Sequence, residues 1–212
     1  MGIFRKKNIV LPPLKIDCHS HILPGVDDGI HTMEDSLRVL KEYENLGIGE
    51  VWLTPHVMED IPNTTESLQK RFSELQDAYD GPIILHLAAE YMLDGLFTDR
   101  LAAGDLLLMD GHPLVETSYF NPPIDFFEIL EQIKSSGYFP VLAHPERYMY
   151  MDKKQYVRLR DMGVLFQMNI GSFAGIYGSD AKERARKLYE GGFYSEYRGT
   201  DLHRYSMIKN LF

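Results

Sequence analysis

The side chains best suited to chemistry begin near the start of the chain. His19 and His21 are separated by one residue, and Asp27 and Asp28 follow within the same stretch, IDCHSHILPGVDDG. Residues two apart in a strand point to the same side, so both imidazoles should face one space. Imidazole and carboxylate groups are the common ligands of catalytic metal ions. The stretch therefore predicts a metal site at the end of a strand.

Groups of the same types recur along the chain, each where a short apolar run ends. They are His56, Glu90, Glu116, His144, Asp201 and His203. Three other histidines lack this placement, since His86 lies inside an apolar run and His112 in a Gly-His-Pro turn. We interpret His31, His86 and His112 as ordinary surface or core residues.

The apolar runs alternate with longer amphipathic stretches, which is the pattern of repeated strand and helix units. The predicted strands are KIDCH, EVWLTPH, IILHLAAE, PLVET, FPVLAH, VLFQMNI and YSEYRGTD. Helices are predicted over residues 32–46, 64–79, 124–136, 153–162 and 179–190, with Thr32 capping the first and Gly47 ending it. No repeat or break in composition divides the chain, so residues 1–212 are predicted to form one domain, with residues 1–13 as an N-terminal extension.

The predicted strand ends carry nearly all of these polar groups. In a closed barrel of parallel strands the carboxyl ends share one rim, so the groups should converge there. Burying so many ionisable groups without a counter-charge is costly, and bound metal ions would remove that cost. A rim of salt bridges is the alternative, but Arg147 in AHPERY is the one basic residue near these strand ends. The ligand types suit Mn²⁺, Fe or Zn²⁺, and their number suits two or three ions.

Composition excludes several classes of protein. The chain has 22 Lys and Arg against 31 Asp and Glu, a formal charge of -9 that opposes general binding to nucleic acid. No apolar run is long enough to span a bilayer, so we expect a cytoplasmic protein without stable membrane insertion. Cys18 is the single cysteine, and the sixth residue after it is Pro24, where a thiol-dependent phosphatase needs arginine. We therefore expect Cys18 to belong to the core.

Seven motifs together resemble one family. In order along the chain they are DCHSHILPGVDDG, TPH, AAE, ETSYF, AHPERY, NIGSFAGIYG and GTDLH. They resemble the PHP (polymerase and histidinol phosphatase) metal-dependent phosphoesterases, and more narrowly their bacterial branch of capsule-associated tyrosine-protein phosphatases. The resemblance covers about residues 16–203. It implies an α/β fold, a distorted TIM-like (βα)7 barrel of PHP type, and a trinuclear site usually described with Mn²⁺.

The resemblance also implies a role for each matched residue. One ion would be held by His19, His21, Glu90 and Asp201. A second would be held by Glu90, Glu116 and His144. The third would be held by His56, His203 and either Asp27 or Asp28, with Asp28 preferred. Arg147 would correspond to the arginine that binds phosphate, because its planar fork suits two phosphate oxygens. His203 and His56 are candidates to assist the leaving group, although both are better employed as ligands.

The implied activity is hydrolysis of phosphotyrosine, on a bacterial tyrosine kinase that controls capsular or exopolysaccharide synthesis. One alternative keeps the site but changes the substrate to a small phosphomonoester such as histidinol phosphate. Another is a regulatory binding protein without turnover. The complete ligand set argues against this last reading, because a silent site has no reason to keep mutually repelling carboxylates.

Three further features leave alternatives open. The GSFAGIYG segment is either a phosphate cradle, with Asn169 or Ser172 reaching into the site, or a plain turn. An aromatic set either accepts a tyrosine ring or packs against itself, and it comprises Tyr119, Phe120, Tyr148 and Tyr150. The terminal segment RYSMIKNLF can make about two helical turns. We expect it to cover the last barrel seam thinly, where a contact in a homo-oligomer would complete the cover.

Overall fold

The computed structural model describes residue 9 and residues 11–212. Most of the predicted N-terminal extension therefore lies outside the described residues. Its described end is tied to the rest of the chain by Arg198, whose guanidinium donates hydrogen bonds to the backbone oxygens of Pro12 (2.7 Å) and Pro13 (3.5 Å).

Each of the seven predicted strand segments contains a strand. Within residues 11–212 the strands are β1 Ile16–Ser20, β2 Glu50–Leu53, β3 His56–Val57, β4 Ile84–Leu87, β5 Glu90–Met92, β6 Leu114–Glu116, β7 Val141–Leu142, β8 Leu165–Phe166, β9 Met168–Asn169 and β10 Arg198–Gly199. Three predicted strands are each divided into two short ones, namely β2 and β3, β4 and β5, and β8 and β9. Pro55 lies at the first division, where its nitrogen has no hydrogen to donate to a neighbouring strand.

The named strands pair only in parallel. Their hydrogen-bonded orders are β1-β2-β4, β3-β5-β6-β7-β8 and β10-β9. The chain just after β10 also meets β1, because Ser20 and Leu202 form a parallel bridge and the Asp201 N–H donates to the His19 carbonyl at 2.8 Å. The fold is thus mixed α/β with parallel sheets, as predicted, and the carboxyl ends of neighbouring strands face the same way.

Helices connect most of these strands. In the same range they are α1 Met33–Leu46, α2 Thr65–Ala78, α3 Gly95–Ala103, α4 Phe126–Ser135, α5 Lys153–Asp161, α6 Ile170–Ala174, α7 Gly178–Glu190 and α8 Ile208–Leu211. Short 3₁₀ turns occupy Pro145–Arg147 and Tyr205–Met207. The five predicted helices are confirmed within two residues at each end. The terminal segment forms the second 3₁₀ turn and α8, close to the two turns expected.

Capping explains where the helices begin and end. Thr32 accepts a hydrogen bond from the Asp35 N–H at 3.1 Å, and Gly47 ends α1 in the left-handed conformation with φ of 74°. The sequence analysis did not identify α3, although Asp94 caps it at the Phe97 N–H (3.0 Å). That helix has 9 residues and is too short to give a clear apolar period.

The core lies between the strands and the apolar faces of the helices. In α1 the buried face includes Val39, Leu40 and Tyr43, and in α4 it includes Ile129 and Ile133. This spacing of three or four residues places each set on one stripe of its helix. Complete burial of such a side chain contributes about 1.5–3 kcal/mol. The apolar stripes thereby hold the strand ends in fixed relative positions.

The amino ends of the strands form a separate region that carries none of the predicted ligands. Trp52 stacks on His86 there, with ring centroids 4.5 Å apart and an interplanar angle of 19°. His86 Nε2 also lies 3.4 Å from a carboxylate oxygen of Glu50. Cys18 is buried beside this region, as predicted, and burial raises the pKa of its thiol to about 12. Across the described residues, no helix combines the length and apolar character that crossing a membrane requires.

Candidate active site

The predicted site residues come together at the carboxyl ends of the seven predicted strands, two of which are divided at His56 and Glu90. His19 is in β1, His56 begins β3, Glu90 begins β5 and Glu116 ends β6. His21 follows β1, His144 follows β7, and Asp201 and His203 follow β10. A cavity of about 500 Å³ opens above them. Arg204 also lines this cavity, and the sequence analysis did not single it out.

One group of donor atoms contains His19, His21, Glu90 and Asp201, all buried. His19 Nε2 lies 3.2 Å from His21 Nε2 and 3.1 Å from Glu90 Oε2. Asp201 Oδ1 lies 3.6 and 3.4 Å from the same two imidazole nitrogens. Adjacent ligands of one ion, with bonds of about 2.1 Å at right angles, would be about 3.0 Å apart. These four residues are the set that the family resemblance implies for one ion.

A second group contains His56, Glu90 and Glu116. His56 Nδ1 lies 3.1 Å from Glu90 Oε2 and 3.2 Å from Glu116 Oε1. His144 is beside the same carboxylates, with its Nε2 2.9 Å from Glu90 Oε1 and 3.8 Å from Glu116 Oε2. The resemblance implies His144 with these two carboxylates, and the geometry adds His56. Glu90 reaches both the first and the second group, as a bridging ligand would.

A third group contains His21, His56 and His203. The two neighbouring aspartates differ in their relation to it. Asp28 Oδ1 lies 3.5 Å from His203 Nε2 and 3.6 Å from His56 Nε2. Asp27 lies behind the group, where its Oδ2 is 2.8 Å from His21 Nδ1 and accepts the His56 backbone N–H at 3.0 Å. Asp28 therefore has the position of a ligand, and Asp27 has that of a residue that orients ligands.

Three of the imidazoles are oriented through their second ring nitrogen. His21 Nδ1 faces Asp27, His19 Nδ1 faces Gln167 Oε1 at 3.2 Å, and His203 Nδ1 faces the Asp201 carbonyl at 2.9 Å. Such contacts fix the ring and direct its Nε2 into the group. Gln167 was not predicted as a site residue, because its only signal in the sequence is a polar residue between Phe166 and Met168.

Buried atoms without hydrogen bonds test whether metal ions fit here. Among the described residues such atoms include His56 Nδ1, Glu90 Oε2 and His144 Nδ1. His56 Nδ1 and Glu90 Oε2 lie 3.1 Å apart, but their orientation is not that of a hydrogen bond. An unsatisfied buried polar group costs about 1–3 kcal/mol. A cation between such atoms would satisfy them, so the residues present fit Mn²⁺, Fe or Zn²⁺.

Opposite charges hold the site together. Burial on its own would raise the pKa of the Glu90 carboxyl, but the imidazoles of His19 and His56 hold that pKa well below its usual range. Burial likewise opposes ionisation of Asp201, whose pKa is nevertheless well below its usual range because of His21 and His19. A hydrogen bond with His203 lowers the pKa of Asp28 to about 2.

The imidazoles respond in the opposite sense. Burial would lower the pKa values of His19, His21 and His56, but the neighbouring carboxylates raise all three above the usual value. Protons on these rings therefore balance the carboxylates in the chain alone. A bound cation would displace such protons.

The backbone is strained at two of the site residues. Of three described non-glycine residues with positive φ, two are His144 (32°) and Asp201 (54°). Each such conformation costs on the order of 1–3 kcal/mol, and such strain clusters at functional sites. Gly199 allows β10 to approach β1, since a Cβ there would lie 2.9 Å from the His19 backbone nitrogen and closer still to its Cβ. Any larger residue at Gly199 would displace His19.

Arg147 borders the ligand groups. Its guanidinium lies over the rings of Tyr119 (4.3 Å to the centroid) and Tyr177 (4.1 Å), and its Nη1 donates to Asp201 Oδ2 at 2.5 Å. Tyr177 Oη and Asn169 Nδ2 donate to the same oxygen at 3.0 and 3.1 Å. Burial would lower the pKa of Arg147, but Asp201 raises it above its usual value, so the side chain stays charged. Tyr177 was not predicted as a site residue.

Two of the N–H groups considered for a phosphate cradle in GSFAGIYG already have a partner inside the chain. Residues 171–174 of this segment belong to the short helix α6, and Asn169 Oδ1 accepts the N–H groups of Gly171 (2.8 Å) and Ser172 (3.4 Å). Those donors are therefore already satisfied inside the chain. Asn169 reaches the site through its amide contact with Asp201, and the Ser172 side chain is buried.

The aromatic set is divided between the two predicted roles. Tyr148 is fully buried and stacks on Tyr150 and Tyr119, with centroids 5.7 and 6.2 Å apart. Phe120 is 67% exposed and lines a cavity beside Arg147. The tyrosines thus pack mainly against one another, and Phe120 is the member that faces solvent.

Comparison with known proteins gives consistent matches. Residues 15–208 match the sequence model of the CpsB/CapC family of capsular polysaccharide synthesis. The chain is 28% identical over 183 residues to the tyrosine-protein phosphatase YwqE of Bacillus subtilis, covering 82% of this chain and 72% of that protein. It is 30% identical over 168 residues to the tyrosine-protein phosphatase CpsB of Streptococcus agalactiae, covering 73% of this chain and 67% of that protein.

A solved structure is also similar. It comes from work on YwqE of Bacillus subtilis and CpsB of Streptococcus pneumoniae, described as metal-dependent tyrosine phosphatases. The TM-score is 0.83 at 26% identity, and the match covers 92% of this chain and 81% of the other. The similarity therefore extends over almost the whole arrangement of strands and helices.

Proposed function

The chain belongs to the CpsB/CapC family of capsular polysaccharide synthesis proteins, and we propose that it is a metal-dependent protein-tyrosine phosphatase. The observation that carries the proposal is the convergence of imidazoles and carboxylates into three overlapping groups beside Arg147. Similarity to tyrosine-protein phosphatases of Bacillus and Streptococcus supports the same activity. The proposed substrate is phosphotyrosine on a bacterial tyrosine kinase that controls capsular or exopolysaccharide synthesis.

The proposed fold is a distorted (βα)7 barrel of PHP type, formed by residues 1–212 as one domain. The parallel pairings support this, because they run in sequence from β1 through β2 to β8 when the divided strands are joined. The bridge between Ser20 and Leu202 supports closure, since it brings the last strand segment against the first. A closed barrel would account for the convergence of residues from distant parts of the sequence.

We assign metal binding to the three groups as follows. The first ion would be held by His19, His21, Glu90 and Asp201. The second would be held by Glu90, Glu116 and His144. The third would be held by His203, His56 and Asp28, with Asp27 orienting the ligands. Mn²⁺ is the proposed metal, with Fe and Zn²⁺ as alternatives, in two or three copies. Such ions supply an activated water molecule and stabilise charge on phosphate oxygens.

The chain's own residues would position the substrate. Arg147 would bind two phosphate oxygens through its planar fork, and the rings of Tyr119 and Tyr177 would hold that fork in place. Because the site is largely buried, these contacts are stronger than they would be in water. A phenolate leaving group has a pKa of about 10, so it needs less proton transfer than an alkyl oxygen. His56 and His203 are the more exposed of the five site imidazoles, but both are assigned as ligands, so no residue is assigned as the proton donor.

The two alternatives are less well supported. Exposed Phe120 and Met149 beside Arg147 favour a polypeptide over a small phosphomonoester such as histidinol phosphate. A silent binding protein would not need buried imidazole and carboxylate atoms left without hydrogen bonds. The proposed location is the cytoplasm, because a tyrosine kinase needs ATP and its phosphorylated form arises inside the cell. We also propose that the chain forms a homo-oligomer. A measurement of its molecular mass in solution would test this.

The first experiment measures phosphate release from a phosphotyrosyl peptide, a phosphoseryl peptide and histidinol phosphate, each with Mn²⁺ and with a chelator. We expect release from the tyrosyl peptide alone, and its loss with the chelator. Release from histidinol phosphate alone would favour the small-molecule enzyme. No release from any substrate, with metal binding confirmed by elemental analysis, would favour the binding protein.

A further inference from the structure

The active-site cavity continues beyond Arg147. A neighbouring cavity of about 440 Å³ shares three lining residues with it, Tyr119, Arg147 and Tyr177. Phe120 and Met149, which are 67% and 62% exposed, also line this second cavity. Large apolar side chains exposed next to a binding site are typical of contact with a partner. The second cavity is therefore placed to receive a residue adjacent to the one bound at Arg147.

A third cavity, of about 710 Å³, continues along the same helix. It lies between α5 and α7 and shares Arg184 with the second cavity. Arg184 is fixed at this junction, because its Nε donates to the Glu146 carbonyl at 2.7 Å. Residues of α7 line both the second and the third cavity. The three cavities thus form a continuous series that begins at the ligand groups and follows α7.

The third cavity is cationic, although the whole chain carries a formal charge of -9. Its floor is apolar and includes Tyr156, Leu188 and Phe193. Its basic lining residues are Lys153, Arg160, Arg184 and Lys187, against one acidic residue, Glu190. The Lys187 side chain is 70% exposed, and its Nζ lies 3.9 Å from a carboxylate oxygen of Glu183. The Arg160 guanidinium lies over the Phe193 ring at 4.8 Å. This concentration of positive charge would attract an anionic side chain rather than a neutral one.

We propose that the second and third cavities, together the α7 groove, bind the polypeptide that carries the phosphotyrosine. The apolar part beside Phe120 and Met149 accepts a residue next to the phosphotyrosine. The cationic part accepts an anionic side chain farther along, either a carboxylate or a second phosphotyrosine. This inference rests on the proposed function and specifies the substrate as an extended chain with an anion at a distance from the scissile phosphate.

The length of α7 sets that distance. From residue 178 to residue 191 the helix rises about 20 Å, which an extended chain spans with about six residues. We therefore expect the anion to raise kcat/KM most when it lies about four to seven residues from the phosphotyrosine. An anion adjacent to the phosphotyrosine should raise kcat/KM less. A peptide series that moves the anion along the chain, on either side of the phosphotyrosine, would determine both spacing and direction.

The test compares peptides that are neutral or carry, at the chosen spacing, two aspartates or a second phosphotyrosine. The groove variant is Lys153→Glu with Lys187→Glu. The matched control is Lys154→Glu with Lys182→Glu, which makes the same charge change on the same two helices at residues that do not line the groove. The readout is the ratio of kcat/KM for the anionic peptide to that for the neutral peptide. This ratio is independent of the amount of active enzyme.

In wild type and control we expect the ratio to be about five to ten, because several exposed charge pairs each contribute modestly. In the groove variant it should fall to one or below, and in wild type it should fall at high salt. A ratio of one in wild type, at every spacing and on both sides, would overturn the groove. An equal ratio in the groove variant and the control would overturn it as well.

A second measurement separates failure of the groove from failure of the proposed function. Turnover of p-nitrophenyl phosphate by wild type with Mn²⁺ reports phosphatase activity without using the groove. If that turnover occurs but the ratio is one, only the groove proposal fails. If no phosphate ester is hydrolysed, the binding of a labelled dianionic peptide, measured by fluorescence anisotropy, still tests the groove. Binding that the groove variant weakens several-fold, and the control does not, would support the groove, and equal binding would refute it.

Discussion

Arg147 is surrounded on three sides by residues that fix its charge and direction. The rings of Tyr119 and Tyr177 cover its two faces, and Asp201 accepts from its edge. A side chain held in this way loses little freedom when it binds a phosphate, so its contribution should be large. The same arrangement makes its planar shape as important as its charge.

We predict that Arg147→Ala lowers kcat on a phosphotyrosyl peptide by about 10²- to 10³-fold, the usual loss for one group that stabilises transition-state charge. Arg147→Lys should recover less than a tenth of the lost rate, because an ammonium group cannot form two parallel bonds. Steady-state kinetics with Mn²⁺ measures both. Arg158→Ala, at an exposed arginine over Phe127, is the control and should leave the rate unchanged. Full activity in Arg147→Lys would contradict the role of the planar fork.

The two adjacent aspartates should respond differently to the same substitution. Asp27→Asn weakens the contacts that orient His21 and His56, and should reduce affinity for Mn²⁺ by about 10- to 100-fold at unchanged stoichiometry. Asp28→Asn removes the negative charge of the carboxylate that we propose as a ligand of the third ion, and should remove one equivalent of metal. Titration calorimetry with elemental analysis distinguishes the two. Loss of an equivalent in Asp27→Asn alone would reverse the assignment.

Most ionisable members of the site could be identified from the sequence, whereas some of its neutral members could not. Histidines, carboxylates and one arginine stand out because they are costly to bury, so their placement at strand ends is informative. Gln167 and Tyr177, which were not predicted, are neutral, and such residues occur in many places for reasons of packing or capping. Their roles depend on which side chains the fold brings beside them, and no local pattern records that.

The junction between β1 and β10 depends on a buried carboxylate outside the ligand groups. Asp17 accepts from the Thr200 hydroxyl at 2.7 Å, the Thr200 N–H at 2.9 Å and the Tyr43 hydroxyl at 2.9 Å. Burial raises the pKa of Asp17, and these hydrogen bonds oppose the rise. The three residues connect the first strand, the last strand and α1. They thus hold His19 and Asp201, which follow on each strand, at their required separation.

We predict that Tyr43→Phe lowers the free energy of unfolding by about 1–3 kcal/mol, because it removes a donor from a buried carboxylate. Because the pKa of Asp17 is raised by burial, its ionised form is the one that most needs the donor from Tyr43. The loss of unfolding free energy should therefore increase as the pH rises and Asp17 ionises. Urea unfolding at pH 5 and pH 8 would measure it. Tyr189→Phe, at a residue 40% exposed, is the control and should change stability by less than about 0.5 kcal/mol. An equal loss at both pH values would contradict the role assigned to Asp17.

At the scale of elements, the sequence predicted which segments form strands and helices better than where they divide. Thr32 and Gly47 marked the ends of α1 because capping is local chemistry. The division of three strands was not predicted, since it depends on how each half pairs in the assembled sheets. In β8 and β9, for example, the first half pairs with β7 and the second with β10. Such pairing is a property of the assembled sheets.

In the whole molecule, protons on the site imidazoles balance the charge of the carboxylates when no ion is bound. This balance predicts how the stability of the metal-free chain depends on pH. Because the pKa values of His19, His21 and His56 are raised in the folded chain, their protonation stabilises the fold below about pH 6.5. This stabilisation is lost as the pH rises through the raised pKa values. Because the pKa values of Glu90 and Asp201 are lowered in the folded chain, their ionisation stabilises the fold above about pH 4.5. This stabilisation is lost as the pH falls through the lowered pKa values.

We therefore expect the site to stabilise the metal-free chain most between about pH 4.5 and 6.5. With Mn²⁺ the ion replaces the imidazole protons, so the gain in Tm over the chelated chain should increase from pH 6 to pH 8. Thermal unfolding in chelator and in Mn²⁺ across this range measures the difference. A gain that is constant with pH would show that the ions do not compete with these protons.

The stacked pair at the amino ends of the strands also makes the chain suitable for optical study. Trp52 is the single tryptophan, so its emission reports one place in the fold, the stack with His86. The indole loses this stacking contact with His86 when the chain unfolds, so its emission should change as the fold is lost. Fluorescence can therefore follow loss of the fold while a separate titration follows the metal, without either signal being mistaken for the other.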